Sequence, residues 1–262
     1  MSTLAASGLT IVRGGRAILE NVALSAQSGE FIAVIGANGA GKSTLLAALA
    51  GLIKPDRGTV TLDGVALADL RRQDFARRRS YLPQNPRCEW PISVERLVAL
   101  GLTPTLPVFG DFPPTFRARI SQVLAACDLE TQRDQAATTL SGGELARAML
   151  ARALVGDPDI LIVDEPMTGL DPRHALDTVR RLKELTRSGK LVIASVHDLT
   201  LAARYATRLL ALHQGHVAAD GPPQTVLTRD LVRAIFAVEA TISGVDGAAF
   251  VDYLAPADEA NP

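Results

Sequence analysis

The chain has 262 residues, of which 47% are hydrophobic and 21% are charged. This composition provides a substantial core and excludes a mainly disordered chain. Its 27 basic and 28 acidic residues leave a formal net charge of -1, so no global positive field favours a nucleic-acid partner or an anionic lipid surface. Cys88 and Cys127 lie far apart without ligand-like spacing, which suggests neither a disulfide framework nor a zinc site.

The first third of the chain predicts strands and one early helix. Residues 9–29 alternate short apolar runs with Gly-Gly and Ser-Gly breakers, a pattern typical of a β-meander. The apolar run Phe31–Ile35 predicts a further strand, and residues 43–50 predict a helix that ends at the candidate C-cap Gly51. Residues 59–62 predict another strand.

Residues 85–157 have a different texture. Helical patterns at residues 94–100 and 116–127 are separated by loops that contain Pro104, Pro107, Pro113 and Pro114. This part of the chain therefore predicts an inserted α-helical subdomain.

The last third returns to apolar strands. Residues 160–163 and 191–196 are continuous apolar runs on either side of a helical segment at residues 173–188, which predicts a parallel sheet covered on both faces. The tail with the apolar run at residues 209–212, Gly215 and the breakers at residues 221–223 predicts edge strands, and residues 231–238 predict a closing helix. No basic segment followed by an apolar run indicates a signal peptide, and no run reaches the ~18–20 apolar residues of a membrane helix.

Residues 36–43, GANGAGKS, fit the phosphate-loop pattern G-x-x-x-x-G-K-[ST] between a strand and a helix. The glycines allow backbone N–H groups to surround phosphate oxygens, and the helix start adds a favourable partial charge. Lys42 is expected to reach the β- and γ-phosphates of ATP, and the Ser43 hydroxyl to coordinate Mg²⁺. The predicted nucleotide site comprises Gly36, Ala37, Asn38, Gly39, Ala40, Gly41, Lys42, Ser43 and Thr44.

Two carboxylates, Asp164 and Glu165, follow the apolar run at residues 160–163. Buried strands rarely end in this way for packing reasons, because desolvation of unpaired charge is costly. By itself the pair also fits a solvated loop or a helix cap. Together with the phosphate loop, it predicts Asp164 as a Mg²⁺ ligand and Glu165 as the base that polarises the attacking water.

Residues 140–144, LSGGE, precede a helical run. Ser141 and Glu144 fit a capping box, so the segment is consistent with a capped helix start alone. The segment also resembles the signature of ABC ATPases, Leu-Ser-Gly-Gly followed usually by Gln. The two interpretations are compatible, since a capped helix N-terminus flanked by glycines is itself an anion site.

The remaining motifs resemble the same family in order along the whole chain. Residues 81–84, YLPQ, resemble the Q-loop, in which Gln84 senses Mg²⁺ and the attacking water. Residues 167–171 resemble the D-loop, in which Asp171 crosses a dimer interface. His197 matches the switch histidine that contacts the γ-phosphate, although a lone histidine at a strand end is more often structural. We identify the chain as an ABC ATPase, which implies an α/β P-loop NTPase fold with a mostly parallel core sheet, an antiparallel N-terminal β subdomain and the helical insertion, all within one domain at residues 1–262.

The resemblance implies a head-to-tail homodimer. Each ATP would lie between the phosphate loop of one subunit and Ser141, Gly142 and Gly143 of the other. Closure and opening would move membrane subunits between two states.

Three positions depart from the family pattern. Glu144 replaces the usual Gln, and Leu145-Ala146 stand where an Arg-Gln pair is common. Arg13 stands where many relatives carry an aromatic residue that stacks on adenine, and a guanidinium plane can also stack on a base.

Residues 91–104 are similar to motors of iron-siderophore, haem and cobalamin importers, with Leu102 and Thr105 as departures. The resemblance implies ATP-driven uptake through a separate integral-membrane permease, with an extracytoplasmic substrate-binding protein. The motor would lie peripherally on the cytoplasmic face of the inner or plasma membrane. A zinc or manganese importer motor and a soluble iron-sulfur-assembly ATPase are the open alternatives; a DNA-repair ATPase would need a coiled-coil insertion, which is lacking here.

Overall fold

The computed structural model of the protein describes residues 1–106, 113–245 and 248–257. The strands within these ranges are β1 (Thr3–Arg13), β2 (Arg16–Gln27), β3 (Phe31–Ile35), β4 (Arg57–Leu62), β5 (Val65–Ala66), β6 (Arg79–Leu82), β7 (Ile160–Val163), β8 (Leu191–Ser195), β9 (Arg208–His213), β10 (His216–Gly221), β11 (Val238–Val245) and β12 (Ala248–Pro256). The helices are α1 (Lys42–Leu49), α2 (Arg72–Arg78), α3 (Val94–Ala99), α4 (Pro114–Ala126), α5 (Gly142–Leu154), α6 (Pro172–Arg187), α7 (Leu199–Tyr205), α8 (Pro223–Val226) and α9 (Arg229–Phe236). Among the helices of these described ranges, none combines the length and the apolar character needed to cross a membrane.

The central sheet has the strand order β10-β9-β3-β8-β7-β6. All neighbouring strands are parallel except β10, which pairs antiparallel with β9. The predicted mostly parallel core sheet is therefore confirmed. The prediction of edge strands in the tail is confirmed for β10 but wrong for β9, which lies between β3 and β10 and whose four central residues are buried. The half-exposed strand β10 forms that edge.

Both faces of this sheet are covered, as its apolar strands predict. Phe31, Ala33 and Ile35 of β3 belong to the core that the helices cover. Ile32 and Val34 belong to a second core, shared with α1 and the N-terminal strands. Successive side chains of a strand point to opposite faces, so a strand buried on both sides must be apolar throughout.

The N-terminal strands form a separate antiparallel sheet in the order β2-β1-β4-β5, which confirms that prediction. β1 and β2 make a long hairpin that pairs from Thr3 with Gln27 to Arg13 with Arg16. The turn at Gly14 and Gly15 has φ values of 57° and 77°, which residues with a Cβ atom rarely adopt.

Helices occupy the described part of the chain between β6 and β7. α3 and α4 agree with the predicted helices at residues 94–100 and 116–127 to within about two residues, the ordinary uncertainty of helix ends. Two 3₁₀ segments, Leu100–Thr105 and Ala137–Thr139, connect them with α5. Pro107 lies outside the described residues. The subdomain boundaries at residues 85–157 stay a prediction.

The predicted closing helix at residues 231–238 is present as α9 to within about two residues, and a β-hairpin that was not predicted follows it. α9 ends at Phe236, Ala237 adopts a left-handed φ of 53°, and Val238 begins a β-hairpin of β11 and β12. Val251 N of this hairpin donates to Thr200 Oγ1 of α7 at 3.1 Å. β-branched residues in β11 favour a strand, but the hairpin is stabilised by packing on α7 and α9, which are earlier in the chain.

Arg78, at the end of α2, joins three segments of the fold. Its guanidinium group lies 2.8 Å from Asp63 Oδ2 and 3.0 Å from Asp159 Oδ2, and it donates to Ser2 Oγ. Burial raises the pKa of Asp63, but hydrogen bonds from Thr3 and Arg78 outweigh this effect, so the pKa lies below its ordinary value. Such a carboxyl stabilises the fold above its unfolded-state pKa, and this contribution is lost as the pH falls through its folded-state pKa.

We expect Arg78→Met to lower the free energy of unfolding by about 1 kcal/mol at neutral pH, since both ion pairs are partly exposed and screened. The loss should shrink once Asp63 is protonated. Urea unfolding at neutral pH and at a pH below the carboxyl range measures both values. Arg71→Met is the control, because its pair with Asp74 is an exposed contact within one helical turn. An equal loss for Arg78→Met at both pH values would contradict the assignment.

Candidate functional site

The residues predicted for the site meet at one edge of the central sheet. β3, β8, β7 and β6 are adjacent and parallel, so their carboxyl ends lie at the same edge. Gly36 follows β3, Asp164 follows β7, and His197 and Gln84 each lie two residues beyond β8 and β6. Ligands of open α/β sheets bind beyond the carboxyl ends of the strands. Strand order therefore brings four separate motifs to one place.

The phosphate loop requires glycine at two positions. Gly36 has a φ of 152°, and a Cβ atom there would lie 2.4 Å from Leu212 O. Gly41 has a φ of 101°, and its Cβ atom would lie 2.7 Å from Leu19 Cδ2. Gly41 is also the N-cap of α1, so the first-turn N–H groups of this helix are directed at the loop.

Lys42 is the first residue of α1 and is only 6% exposed. Its Nζ donates to Gly36 O at 2.7 Å and to Ala37 O at 3.1 Å. Burial lowers the pKa of Lys42, and the nearby charges of Glu165 and Asp164 oppose this effect without cancelling it. The loop thus surrounds an ammonium group that faces two carboxylates.

Asp164 is buried, with 3% of its surface exposed. Its Oδ1 accepts a hydrogen bond from Ser195 Oγ at 2.6 Å, and its backbone N donates to Leu82 O at the end of β6. Burial, with a smaller contribution from the Asp164 charge, raises the pKa of Tyr81 to about 12. Asp164 therefore does not lie in a solvated loop. It lies between the ends of β6 and β8.

Glu165 is hydrogen-bonded by three side chains. Oε1 lies 2.5 Å from His197 Nε2, Thr168 Oγ1 donates to Oε2 at 3.0 Å, and Gln84 also donates to the carboxylate. Burial raises the pKa of Glu165, but the hydrogen bonds from His197, Gln84 and Thr168 outweigh it and hold the pKa below its ordinary value. The carboxylate is therefore ionised at neutral pH and can accept a proton.

The signature segment forms the predicted capping box at the start of α5. Ser141 Oγ accepts from Glu144 N at 3.3 Å, and Glu144 Oε2 accepts from Ser141 N at 2.8 Å. Gln132 Nε2 donates to the other carboxylate oxygen of Glu144 at 3.1 Å. The Ser141 backbone N–H, followed by its hydroxyl, lowers the pKa of Glu144. Both carboxylate oxygens of Glu144, which replaces the usual glutamine, therefore accept hydrogen bonds from neighbouring residues.

Asp171 makes side-chain hydrogen bonds at the start of α6. It is the N-cap of α6, and its carboxylate accepts from His174 N at 2.9 Å and lies 2.8 Å from His174 Nδ1. Within the described ranges, no hydrogen bond joins Asp171 or the signature residues Ser141, Gly142 and Gly143 to the phosphate loop. The D-loop and the signature are predicted to contact ATP at the phosphate loop of a second copy of the chain, and this stays a prediction.

Thr168 and Ser195 are site residues that the sequence motifs do not identify. Ser195 carries a visible signal, because it is the one polar residue in the apolar run at residues 191–196. Apart from its place in the D-loop, Thr168 has no sequence feature that indicates a role in the site. Arg13, the candidate adenine contact, is exposed at the tip of the first hairpin, and its guanidinium donates to Val12 O. Its role toward the base stays a prediction.

Comparisons with known proteins identify the family of the chain. A family model described as ABC transporter matches residues 19–168. The chain is 40% identical over 258 residues to the hemin import ATP-binding protein HmuV of Rhodopseudomonas palustris, covering 95% of this chain and 93% of the relative. It is 42% identical over 240 residues to the protein of the same name from Nocardia farcinica, covering 89% and 82%.

Two solved structures show the same fold. One, described as the ATP binding subunit of an ABC transporter, has a TM-score of 0.76 and 29% identity over 85% of this chain and 91% of its own. The other is a dimeric post-hydrolysis state of an ATP-binding cassette bound to ADP and Pi, with a TM-score of 0.74 and 28% identity over 84% and 98%. The chain therefore belongs to the ABC transporter family.

Proposed function

We propose that the chain is the ATP-hydrolysing subunit of an importer that takes up hemin through a separate membrane permease. The arrangement at the sheet edge carries this proposal: a buried lysine inside a phosphate loop faces Asp164 and an ionised Glu165 bound to His197. Two relatives that are 40% and 42% identical are named for hemin import. These names favour hemin over an iron-siderophore or cobalamin as the cargo.

The donors at the sheet edge fit Mg²⁺. Ser43, Gln84 and Asp164 all offer oxygen atoms, which are the ligands that Mg²⁺ prefers. Ser195 uses Oδ1 of Asp164, which leaves Oδ2 for a cation. These three residues would hold the ion together with phosphate oxygens and water, and the bound ion neutralises charge on the phosphates.

The protein side chains divide the hydrolysis between them. When ATP binds, Lys42 exchanges its two carbonyl acceptors for β- and γ-phosphate oxygens. Glu165 accepts a proton from the water that attacks the γ-phosphorus, and the bond between this phosphorus and the β,γ-bridging oxygen breaks. His197 holds Glu165 in position and contacts the γ-phosphate. ADP and inorganic phosphate are the products.

A second copy of the chain completes the site in this proposal. The signature lies at an exposed, capped helix N-terminus, which suits an anion. Because no hydrogen bond of the described residues joins the signature to the phosphate loop of the same chain, each ATP would be bound by Ser141, Gly142 and Gly143 of the second subunit. A similar solved cassette is dimeric, which supports a head-to-tail homodimer.

A basic groove beside the Q-loop is the proposed contact with the permease. Arg77, Arg79, Arg87 and Arg152 line it, and none of the described residues along it is acidic. Pro83 also lines the groove, and the next residue, Gln84, donates to Glu165. A permease segment with acidic side chains or a helix C-terminus fits the positive charge of this groove. Its binding there would act on the Glu165 carboxylate through Gln84. The motor would then lie at the cytoplasmic face of the membrane, and an extracytoplasmic binding protein would deliver the cargo.

Complementation of a strain that lacks the gene and uses hemin as its iron source tests this proposal. We expect the wild-type chain to restore uptake of labelled hemin, and Arg87→Glu to reduce it at least about tenfold, since reversed charge at an interface costs several kcal/mol. Purified Arg87→Glu should keep its ATP turnover, because Arg87 is exposed and lies outside the phosphate site.

Arg229→Glu, an exposed position at the start of α9, is the matched control and should transport like wild type. Normal uptake by Arg87→Glu would exclude the groove as the permease contact. If deletion of the gene leaves hemin uptake unchanged but abolishes uptake of an iron-siderophore or cobalamin, hemin is the wrong cargo.

A further inference from the structure

We infer that Ser195 is a positioning residue that couples the metal ligand to the catalytic base through a single hydroxyl group. This inference rests on the roles proposed above for Asp164 and Glu165. Ser195 is the last residue of β8 and has no exposed surface. A polar side chain buried in this way is normally retained for the hydrogen bonds that it makes.

The hydroxyl group of Ser195 bridges two adjacent residues. Its Oγ donates to Asp164 Oδ1 at 2.6 Å and accepts from Glu165 N at 2.7 Å. A hydroxyl has one proton. Since that proton is directed at the Asp164 carboxylate, the remaining lone pairs of Oγ are available to the Glu165 N–H. The two bonds therefore determine the rotamer of Ser195 and constrain both acidic residues.

Glu165 depends on the second of these bonds because of its backbone conformation. Its φ of 50° lies in the left-handed region, which is disfavoured for a residue with a Cβ atom. The bond from Glu165 N to Ser195 Oγ is a contact that compensates for this conformation. It also directs the carboxylate toward His197 and Thr168, which bind its two oxygens.

The sheet places Ser195 where it can make both bonds. Val163 of β7 is paired with Ala194 of β8, so Asp164 and Ser195 are the next residues of two paired strands. On the other side Ser195 is paired with Val34 of β3, the strand that leads into the phosphate loop. Ala or Val at this position would suit the apolar strand equally well but would leave Asp164 Oδ1 and Glu165 N without this partner.

Steady-state hydrolysis by the purified full chain, measured against ATP and against Mg²⁺, tests the inference. We expect Ser195→Ala to lower kcat about 10-fold and to raise the half-activating Mg²⁺ concentration about 10-fold. Substitutions of residues that hydrogen-bond to metal ligands have effects of this size. KM for ATP should change less than about twofold, because the phosphate loop keeps its contacts. Ser195→Thr keeps the hydroxyl and should recover kcat to within about threefold.

Val192→Ala and Glu165→Gln are measured in parallel. Val192 is equally buried on the same strand, so Val192→Ala should lower the stability of the fold without a change in Mg²⁺ dependence.

Wild-type kcat and Mg²⁺ dependence in Ser195→Ala, with Glu165→Gln impaired, would overturn the inference and leave the proposed function standing. The same Mg²⁺ shift in Val192→Ala, or no recovery in a folded Ser195→Thr, would also overturn it. If Glu165→Gln turns over like wild type, the proposed base is wrong and the inference fails with it. Ser195→Cys, a similar shape with a weak donor, replaces Ser195→Ala if that variant does not fold.

Discussion

Glu165→Gln is expected to lower ATP turnover about 10² to 10⁴-fold and to leave Mg·ATP binding intact, because general-base catalysis contributes this much to a rate. The amide keeps the size of the side chain and can still contact His197 and Thr168, but it cannot accept a proton from water. The phosphate loop and Asp164 are unchanged. Turnover and nucleotide binding, measured separately on the purified chain, distinguish the two effects.

The same variant tests the dimer. Because ATP would remain bound between two subunits, light-scattering mass should show an ATP-held dimer of Glu165→Gln in Mg·ATP and a monomer without it. Glu184→Gln, at an exposed position of α6, is the control and should behave like wild type. Wild-type turnover in Glu165→Gln would show that another residue is the base. Slow turnover without dimerisation would show that the permease is needed to align the motors.

Lys42→Ala is expected to weaken ATP binding at least about 100-fold, from the loss of charge-assisted bonds of about 3 kcal/mol in total. The loop glycines and the start of α1 remain, so their backbone N–H groups still contribute to the residual affinity. Titration with a fluorescent ATP analogue measures affinity without hydrolysis.

Lys54→Ala removes the same charge from an exposed position outside the loop and should bind the analogue like wild type. Circular dichroism must show that Lys42→Ala is folded, because Lys42 is buried and bonds two loop carbonyls. A folded Lys42→Ala that binds with wild-type affinity would exclude the lysine as a phosphate contact.

Local sequence determined those parts of the fold that depend on one segment only. Phe31–Ile35 and Ile160–Val163 have the predicted bounds, because a strand buried on both faces must be continuously apolar. Gly51 follows α1 with a φ of 68°, and Leu52 N donates to Ala47 O, as a glycine-terminated helix requires. The capping box of Ser141 and Glu144 spans four residues and is equally local.

Elements that depend on distant partners were not determined in this way. β9 is interior because β10 pairs on its outer side, and the apolar pattern of residues 209–212 does not distinguish an edge from an interior position. The C-terminal hairpin that follows α9 was not predicted, because its packing on α7 and α9 is a long-range contact.

The candidate site shows the same division. The spacing of glycines, Lys42 and Ser43 by itself determined a phosphate loop, since its chemistry lies within eight consecutive residues. The bonds of Ser195 to Asp164 and Glu165 join residues about 30 positions apart and exist only because β7 and β8 are paired. The order β3-β8-β7-β6 likewise brings His197 and Gln84 to Glu165. Tertiary structure decided these contacts, because strand order is a property of long-range pairing that no single segment encodes.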